Sequence, residues 1–305
     1  MNKNIKKIGL LGGDMRQIRL ASLLAEEGYE TAVWGFRQVM DQEDVKARLS
    51  KCVRCADWES AICVSDIILL PLPVSLDGVR LNCPLAVPDC DIRMTEIIDK
   101  TSPGSTILGG KIPSLIKRLA AERGINVYDY YESEALQIKN SIPTAEGAVA
   151  IAINELPITI QGCRALITGY GRVGRTLAHK LNLLGAQVYV AARSIRDLAW
   201  SANDGCIPVR LSEYRADPIP VDIIYNTVPA LIFDRELLSK LDKNTLIVEL
   251  ASANSGVDMK ADSGIRIISA QGLPGKLSPF TAGEIIFDTV KEILEESDEN
   301  KRLLK

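Results

Sequence analysis

Four short stretches hold the residues able to do chemistry in this chain, and each suits a different ligand. The first is Gly169-Tyr170-Gly171-Arg172-Val173-Gly174, preceded by the apolar run Ala165-Leu166-Ile167-Thr168 and followed by a helical pattern from Arg175 to Leu184. In a strand, turn and helix of this spacing the first glycine permits the tight turn. The second lets the backbone approach a pyrophosphate, and the third lets the helix pack on the strand. The amides of Arg172, Val173 and Gly174 then face an anion at the helix N-terminus. The next strand ends in Ala191-Ala192-Arg193-Ser194. Sites that prefer NAD usually carry a carboxylate at that point for the ribose 2′-hydroxyl. None is present, and Arg193 and Ser194 can pair with and donate to a 2′-phosphate, which favours NADP while leaving NAD possible. Thr227, Val228 and Pro229, after a later strand, are expected beside the ribose and nicotinamide.

The second stretch, Gly12-Gly13-Asp14-Met15-Arg16-Gln17, mimics such a turn and departs from it. Asp14 replaces the second glycine and would repel a pyrophosphate, and Gln17 replaces the third. A capping box of Asp14 with Gln17 is the plain structural reading. Arg16, at a helix start on the carboxyl edge of a sheet, is a candidate for holding a substrate carboxylate, with Gln17 beside it. The third, Gly109-Gly110-Lys111, adds a second cation after another strand, and Ser75 in Pro71-Leu72-Pro73-Val74-Ser75 reaches the same edge. The fourth, Asn140-Ser141-Ile142-Pro143-Thr144-Ala145-Glu146-Gly147, reads as the start of a helix with Pro143 in its first turn. Asn140, Ser141 and Thr144 are candidate ligands for carboxylate or carbonyl oxygens, unless they only cap the helix. Glu146, if partly buried, is a candidate proton acceptor, and Lys111, Ser141 and Thr144 are further candidate catalytic residues.

The elements that position these residues alternate along the whole chain. Apolar runs at Ile8 to Leu11, Thr31 to Trp34, Ile67 to Leu70, Thr106 to Leu108 and Asn126 to Tyr128 form one set. A second set lies at Ala165 to Thr168, Val188 to Ala192, Ile223 to Tyr225, Leu246 to Leu250 and Ile265 to Ile268, with helical stretches between. This alternation predicts an α/β chain of two doubly wound, Rossmann-like parallel sheets joined by crossing helices, with a cleft between them. The expected division is a substrate domain over 1–142 with a returning helix over 282–305, a bridging helix over 143–157, and an NADP domain over 158–281.

Composition narrows the class further. At 305 residues with 47% hydrophobic and 25% charged content, two soluble domains are expected. The net charge of −3 with dispersed basic residues gives no footprint for nucleic acid. No run is long enough to span a bilayer, and Met1 to Lys7 leads into a strand instead of a long apolar segment, so a cytoplasmic protein with no membrane partner is expected. Seven scattered cysteines point to reduced thiols, and Cys52, Cys55 and Cys63 lack the partners that would complete a metal site. The single histidine, His179, falls inside a helix. A histidine acid–base mechanism, usual in hydroxy-acid dehydrogenases, therefore has no obvious candidate.

Taken in order, the GGDxRQ run at Gly12 to Gln17, the NSIPTAEG run at Asn140 to Gly147, the glycine turn at Gly169 to Gly174, and Pro274-Gly275-Lys276 with Thr281-Ala282-Gly283 resemble the dipicolinate synthase A-subunit family over nearly the whole chain. The first two runs are the more specific, since many dehydrogenases share the turn. The resemblance implies oxidation of a dihydrodipicolinate-type cyclic dicarboxylate to dipicolinate in the mother cell of a sporulating bacterium, together with a smaller, flavoprotein-like B-subunit. It fixes neither the general base nor the activity of the isolated chain. Two other readings stand beside it: a 2-hydroxy-acid dehydrogenase or adenosylhomocysteinase-like enzyme, and a non-catalytic nucleotide-sensing component of a complex. Assembly as a homo-oligomer is open.

Overall fold

Strands buried on both faces, alternating with amphipathic helices, can only be satisfied by a parallel sheet covered on both sides. The computed structural model, which describes residues 6–86, 90–251, 256–261 and 263–303, contains two such sheets in two compact units. Met1 to Ile5, part of the opening read for targeting, lies outside those residues.

Unit 1 comprises residues up to Lys139 and from Ser278 onward. Its elements are β1 (Lys7–Leu11), α1 (Met15–Glu26), β2 (Glu30–Trp34), α2 (Glu43–Arg48), β3 (Val53–Arg54), α3 (Trp58–Cys63), β4 (Ile67–Leu69), α4 (Met94–Lys100), β5 (Thr106–Gly109), α5 (Ser114–Glu122) and β6 (Asn126–Asp129). The sheet order is β3-β2-β1-β4-β5-β6, all parallel. Side chains alternate across it. Ile8 and Leu10 join one core with Ile67 and Leu69, whereas Leu11 joins the other with Ile68 and Leu70.

The helix α6 (Glu134–Glu155) carries the chain into unit 2, residues Asn140–Leu277. There follow β7 (Arg164–Thr168), α7 (Arg172–Leu183), β8 (Gln187–Ala192), α8 (Ile195–Asn203), β9 (Ile207–Arg210), α9 (Leu211–Ala216), β10 (Ile223–Asn226), α10 (Arg235–Lys240), β11 (Leu246–Glu249), β12 (Arg266–Ser269) and α11 (Leu273–Leu277). The sheet order, β12-β11-β10-β7-β8-β9, is that of unit 1 read from the other edge. Ala145, Ala148, Val149 and Ala152 of α6 pack with Ala165, Ile167 and Tyr225 on one face, and Leu166 and Ile224 face the other core. The chain returns through α12 (Pro279–Leu303), whose Ile286 and Val290 share a core with Ile18 and Ala21 of α1.

Three sequence expectations need correction. The helix expected over 143–157 begins nine residues earlier, at Glu134, and ends at Glu155. Its start signal is Ser133, whose Oγ accepts from the Leu136 amide at 3.2 Å, with Glu134 in the first turn. Pro143 is therefore interior, where it gives no amide to the Lys139 carbonyl. The edge strands β3 and β9 carry no clear sequence signal. The first is two exposed residues, and the second contains Pro208, which an edge strand tolerates.

Candidate functional site

In unit 2 the three glycines of the mid-chain turn meet three different steric demands. Gly169 has φ +85°, and a Cβ there would lie 2.7 Å from Val228 and 2.8 Å from Thr227 Oγ1. Gly171, the N-cap of α7, faces open space with no atom within 4 Å of a built Cβ. At Gly174 a Cβ would sit 2.5 Å from the Gly169 carbonyl oxygen, so helix and turn are in backbone contact. The approach to the first amides of α7, those of Arg172, Val173 and Gly174, is thus clear at Gly171, as a bound pyrophosphate requires.

A buried polar network fixes the strand ends around that turn. The Thr168 hydroxyl and Asn226 Oδ1 are 2.6 Å apart, and Asn226 Nδ2 donates to both Glu249 oxygens at 3.0 Å and to the Val228 carbonyl at 3.0 Å. Glu249, 1% exposed, also accepts from the amides of Ala251 at 2.8 Å and Gly256 at 2.9 Å. Thr227 donates its hydroxyl to the Thr168 carbonyl at 2.7 Å, which sets the path through Val228 to the exposed Pro229. β7, β10 and β11 are thereby tied at their carboxyl ends, where open α/β sheets bind ligands. At the end of β8, Arg193 is exposed and, among the described residues, has no ion-pair or hydrogen-bond partner. Ser194 caps α8, accepting from the Asp197 amide at 3.4 Å.

The unit 1 turn is closed by its own charges. The Asp14 carboxylate accepts from the Arg16 amide at 3.0 Å, from Arg16 Nε at 2.9 Å and from Nη2 at 2.8 Å, and Nη2 also donates to the Leu72 carbonyl at 2.6 Å. This fork-to-fork pair leaves Nη1 as the guanidinium nitrogen with no partner among the described residues. The expected capping box forms only in half. Asp14 caps α1, but Gln17 turns inward under Gly13, where a Cβ would lie 2.3 Å from Gln17 Cγ. Gln17 is 1% exposed, and neither its Nε2 nor its Oε1 has a hydrogen-bond partner among the described residues. Buried amide atoms of this kind call for a water or a ligand atom.

Lys111 shares this sheet edge. Its φ is +58°, in the left-handed region that a lysine rarely occupies. The conformation is held by Asp129 at the end of β6, whose carboxylate accepts from the amides of Lys111 at 2.9 Å, Ile112 at 2.8 Å and Tyr131 at 3.0 Å. The Lys111 ammonium lies 4.7 Å from the Tyr131 ring centre, and desolvation of its inner side lowers its pKa against the opposing pull of Asp129. The loops after β4 and β5 are stitched together by Gly110 N to Pro71 O at 3.1 Å, Val74 N to Gly110 O at 2.9 Å and Tyr130 OH to Leu70 O at 2.9 Å. With the Arg16–Leu72 bond, these contacts bring Arg16, Gln17 and Lys111 to one sheet edge. Ser75 stands apart in function: its hydroxyl donates to Asp77 at 3.0 Å in a local turn.

The Asn140 to Glu146 segment sits inside α6, not at a helix start, so its side chains have helix-interior roles. Ser141 is buried with its Oγ 2.7 Å from Thr176 Oγ1, and Thr144 donates back to the Asn140 carbonyl at 2.9 Å. Asn140 is half-buried. Glu146 departs from the partly buried base expected: its side chain is 55% exposed and pairs with Lys180 at 2.9 Å, off the α6 face that Ala145, Ala148 and Ala152 bury. His179 is exposed on α7, and all seven cysteines are free, with burial pushing the Cys52 thiol up to about 11. Among the described residues no cluster of His, Cys, Asp or Glu could hold a metal, and no helix is long and apolar enough to cross a membrane.

The residues that sequence reasoning misses are those that position others. Asp129 closes a strand with an acid before two tyrosines, and Asn226 and Glu249 end strands on polar residues inside apolar runs. A polar residue closing a buried parallel strand is the signal that could find them.

Comparison with known proteins places the chain in a family and a fold. Residues 7–131 match the family model for the N-terminal domain of the dipicolinate synthase A-subunit. The dipicolinate synthase A-subunit of Bacillus subtilis (strain 168) is 31% identical over 292 residues, covering 95% of this chain and 96% of that one. The crystal structure of the dipicolinate synthase A-subunit from Bacillus halodurans superposes with a TM-score of 0.83 at 29% identity, covering 95% of this chain and 97% of that one. The transhydrogenase of Sinorhizobium meliloti, at 13% identity, shares the fold with a TM-score of 0.70, covering 95% and 94% of the two chains.

Proposed function

The chain belongs to the dipicolinate synthase A-subunit family, and from that premise we propose that it is an NADP-dependent oxidoreductase converting a dihydrodipicolinate-type cyclic dicarboxylate to dipicolinate, in company with a B-subunit. The observation that carries the reading is the open turn at Gly171, set beside a strand end that offers Arg193 and no carboxylate. Arg172, Val173 and Gly174 would receive the pyrophosphate. Arg193 would meet the 2′-phosphate, and Thr227 to Pro229 would line the nicotinamide ribose. When bound, the nicotinamide supplies a hydride acceptor.

The remaining work falls to side chains of this chain. Arg16 Nη1 and the Lys111 ammonium hold the ring carboxylates, and the Gln17 amide supplies a hydrogen bond from beneath the turn. Aromatisation also requires loss of a ring proton. Glu146, exposed and paired with Lys180, is poorly placed to take it. Asn140, Ser141 and Thr144 serve to orient α6.

The test is turnover of dihydrodipicolinate with NADP by the purified chain, with and without the B-subunit, followed by NADPH absorbance. Reduction of NADP that is lost in Lys111→Ala supports the reading. Dinucleotide binding without turnover in either preparation would favour the nucleotide-sensing role instead.

A further inference from the structure

Unit 1 contains a pocket that the proposed reaction does not use. It has a volume of about 350 Å³ and opens at the carboxyl end of β2, walled by Trp34, Phe36 and Met40 and edged by Arg37, Arg54 and Asp57. Gly35, with φ +102°, lets the end of β2 lie directly on the first turn, since a Cβ there would be 2.8 Å from Gly12 Cα. In fold terms this is the position that Arg193 occupies in unit 2, where a doubly wound sheet receives the nucleoside end of a dinucleotide. Asp14 blocks the path from this pocket to a pyrophosphate on α1, so a complete dinucleotide does not fit the scheme.

The lining specifies what does. Trp34, half-buried, offers a flat apolar face for a ring, while Phe36 beside it is buried in the core. Among the described residues neither Arg37 nor Arg54 has a carboxylate partner, and both are exposed at the pocket's edge, so two guanidinium groups remain for an anion. Asp57 is engaged by Ser60, whose amide donates to it at 2.7 Å, and its remaining lone pairs can accept from a ring N–H or a hydroxyl. The volume is at the small end of ligand pockets and suits one ring system with one charged group.

We propose that this pocket binds a planar heteroaromatic ring carrying a phosphate or carboxylate, at a site separate from the dinucleotide turn and from the Arg16 and Lys111 edge. Trp34 reports occupancy directly. Titration of the full chain with adenosine 5′-monophosphate and, separately, with dipicolinate should quench tryptophan fluorescence for at least one of them, and the responding ligand identifies the source of the anion. Trp34→Phe should abolish the quench while calorimetry still registers binding. Arg37→Ala with Arg54→Ala should weaken it by roughly tenfold to a hundredfold, the expected loss for charge-assisted contacts, without altering NADP affinity. Both arginines are exposed, so these variants should keep the wild-type unfolding transition. No fluorescence response to either ligand, or a response unchanged in the double arginine variant, would overturn the proposal. Failure of turnover with NADP would leave these outcomes unaffected.

Discussion

The turns at Gly12 and Gly169 follow the same element order, a buried first strand, a glycine turn and a helix, in sheets of the same strand order, yet they end in opposite electrostatic states. In unit 2 the middle position is Gly171, bare and open, and Glu249, the carboxylate that ties the strand ends, is buried and engaged with amides. In unit 1 that position is Asp14, which draws the Arg16 guanidinium onto the mouth of the turn and fills the space an anion would use. The backbone scaffold is thus silent about the ligand; one side chain at the helix N-terminus decides whether the dipole there meets a phosphate or a resident carboxylate.

The largest effect should come from making the second turn resemble the first. Gly171→Asp places a carboxylate against the pyrophosphate position, a like-charge clash worth several kcal/mol, so NADP affinity should fall on the order of a thousandfold. Calorimetry should find no binding while the unit 1 unfolding transition is kept. Retained affinity would mean that the turn is structural only.

Next in size is removal of the unit 1 cations. Arg16→Ala and Lys111→Ala should each weaken dipicolinate binding by roughly tenfold to a hundredfold, the loss of about 1.5–3 kcal/mol expected for a charge-assisted contact, and spare NADP. The same lysine sharpens the comparison through pH. Because its pKa lies below the ordinary lysine value, the ammonium should be lost, and dipicolinate affinity fall, as pH rises through a pKa under that value. A profile unchanged in Lys111→Ala would place the dicarboxylate away from this lysine.

Asp129→Asn should act one step removed from these. The carboxylate is 6% exposed and accepts three amides that hold Lys111 in its left-handed conformation. Replacing it leaves weaker acceptors, with a stability loss of about 1–3 kcal/mol by denaturant titration and a raised KM for the dicarboxylate. The smallest effect is expected at Arg193→Ala, which should narrow the preference for NADP over NAD by roughly tenfold, since the arginine is exposed and its contact screened.

Much of this comparison is legible in the chain. Both glycine turns can be read as strand-to-helix junctions, because glycines at that spacing after a buried strand have few alternative uses. The central apolar runs need no more than a shift of one residue at either end to become the observed strands, because continuous burial of a parallel strand leaves a continuous apolar run. The start of α6 escapes such a reading because Pro143 is a strong local signal, whereas Ser133 and Glu134 start the helix with an ordinary cap. Asp129, Asn226 and Glu249 escape it because their partners are backbone amides and distant strands, which no local spacing reports. The distance of Gln17 from Asp14 suggests a capping role, and the inward turn beneath Gly13 depends on packing that only the assembled sheet imposes.

The central claim, that the two turns divide dinucleotide and dicarboxylate between them, is tested most directly by a crystal structure with NADP and dipicolinate bound together. The account predicts the pyrophosphate on the amides following Gly171, with the 2′-phosphate at Arg193, and a dipicolinate carboxylate on Arg16 Nη1 and Lys111. Dinucleotide density on the Gly12 turn, or dipicolinate ordered without contact to Arg16 or Lys111, would contradict it.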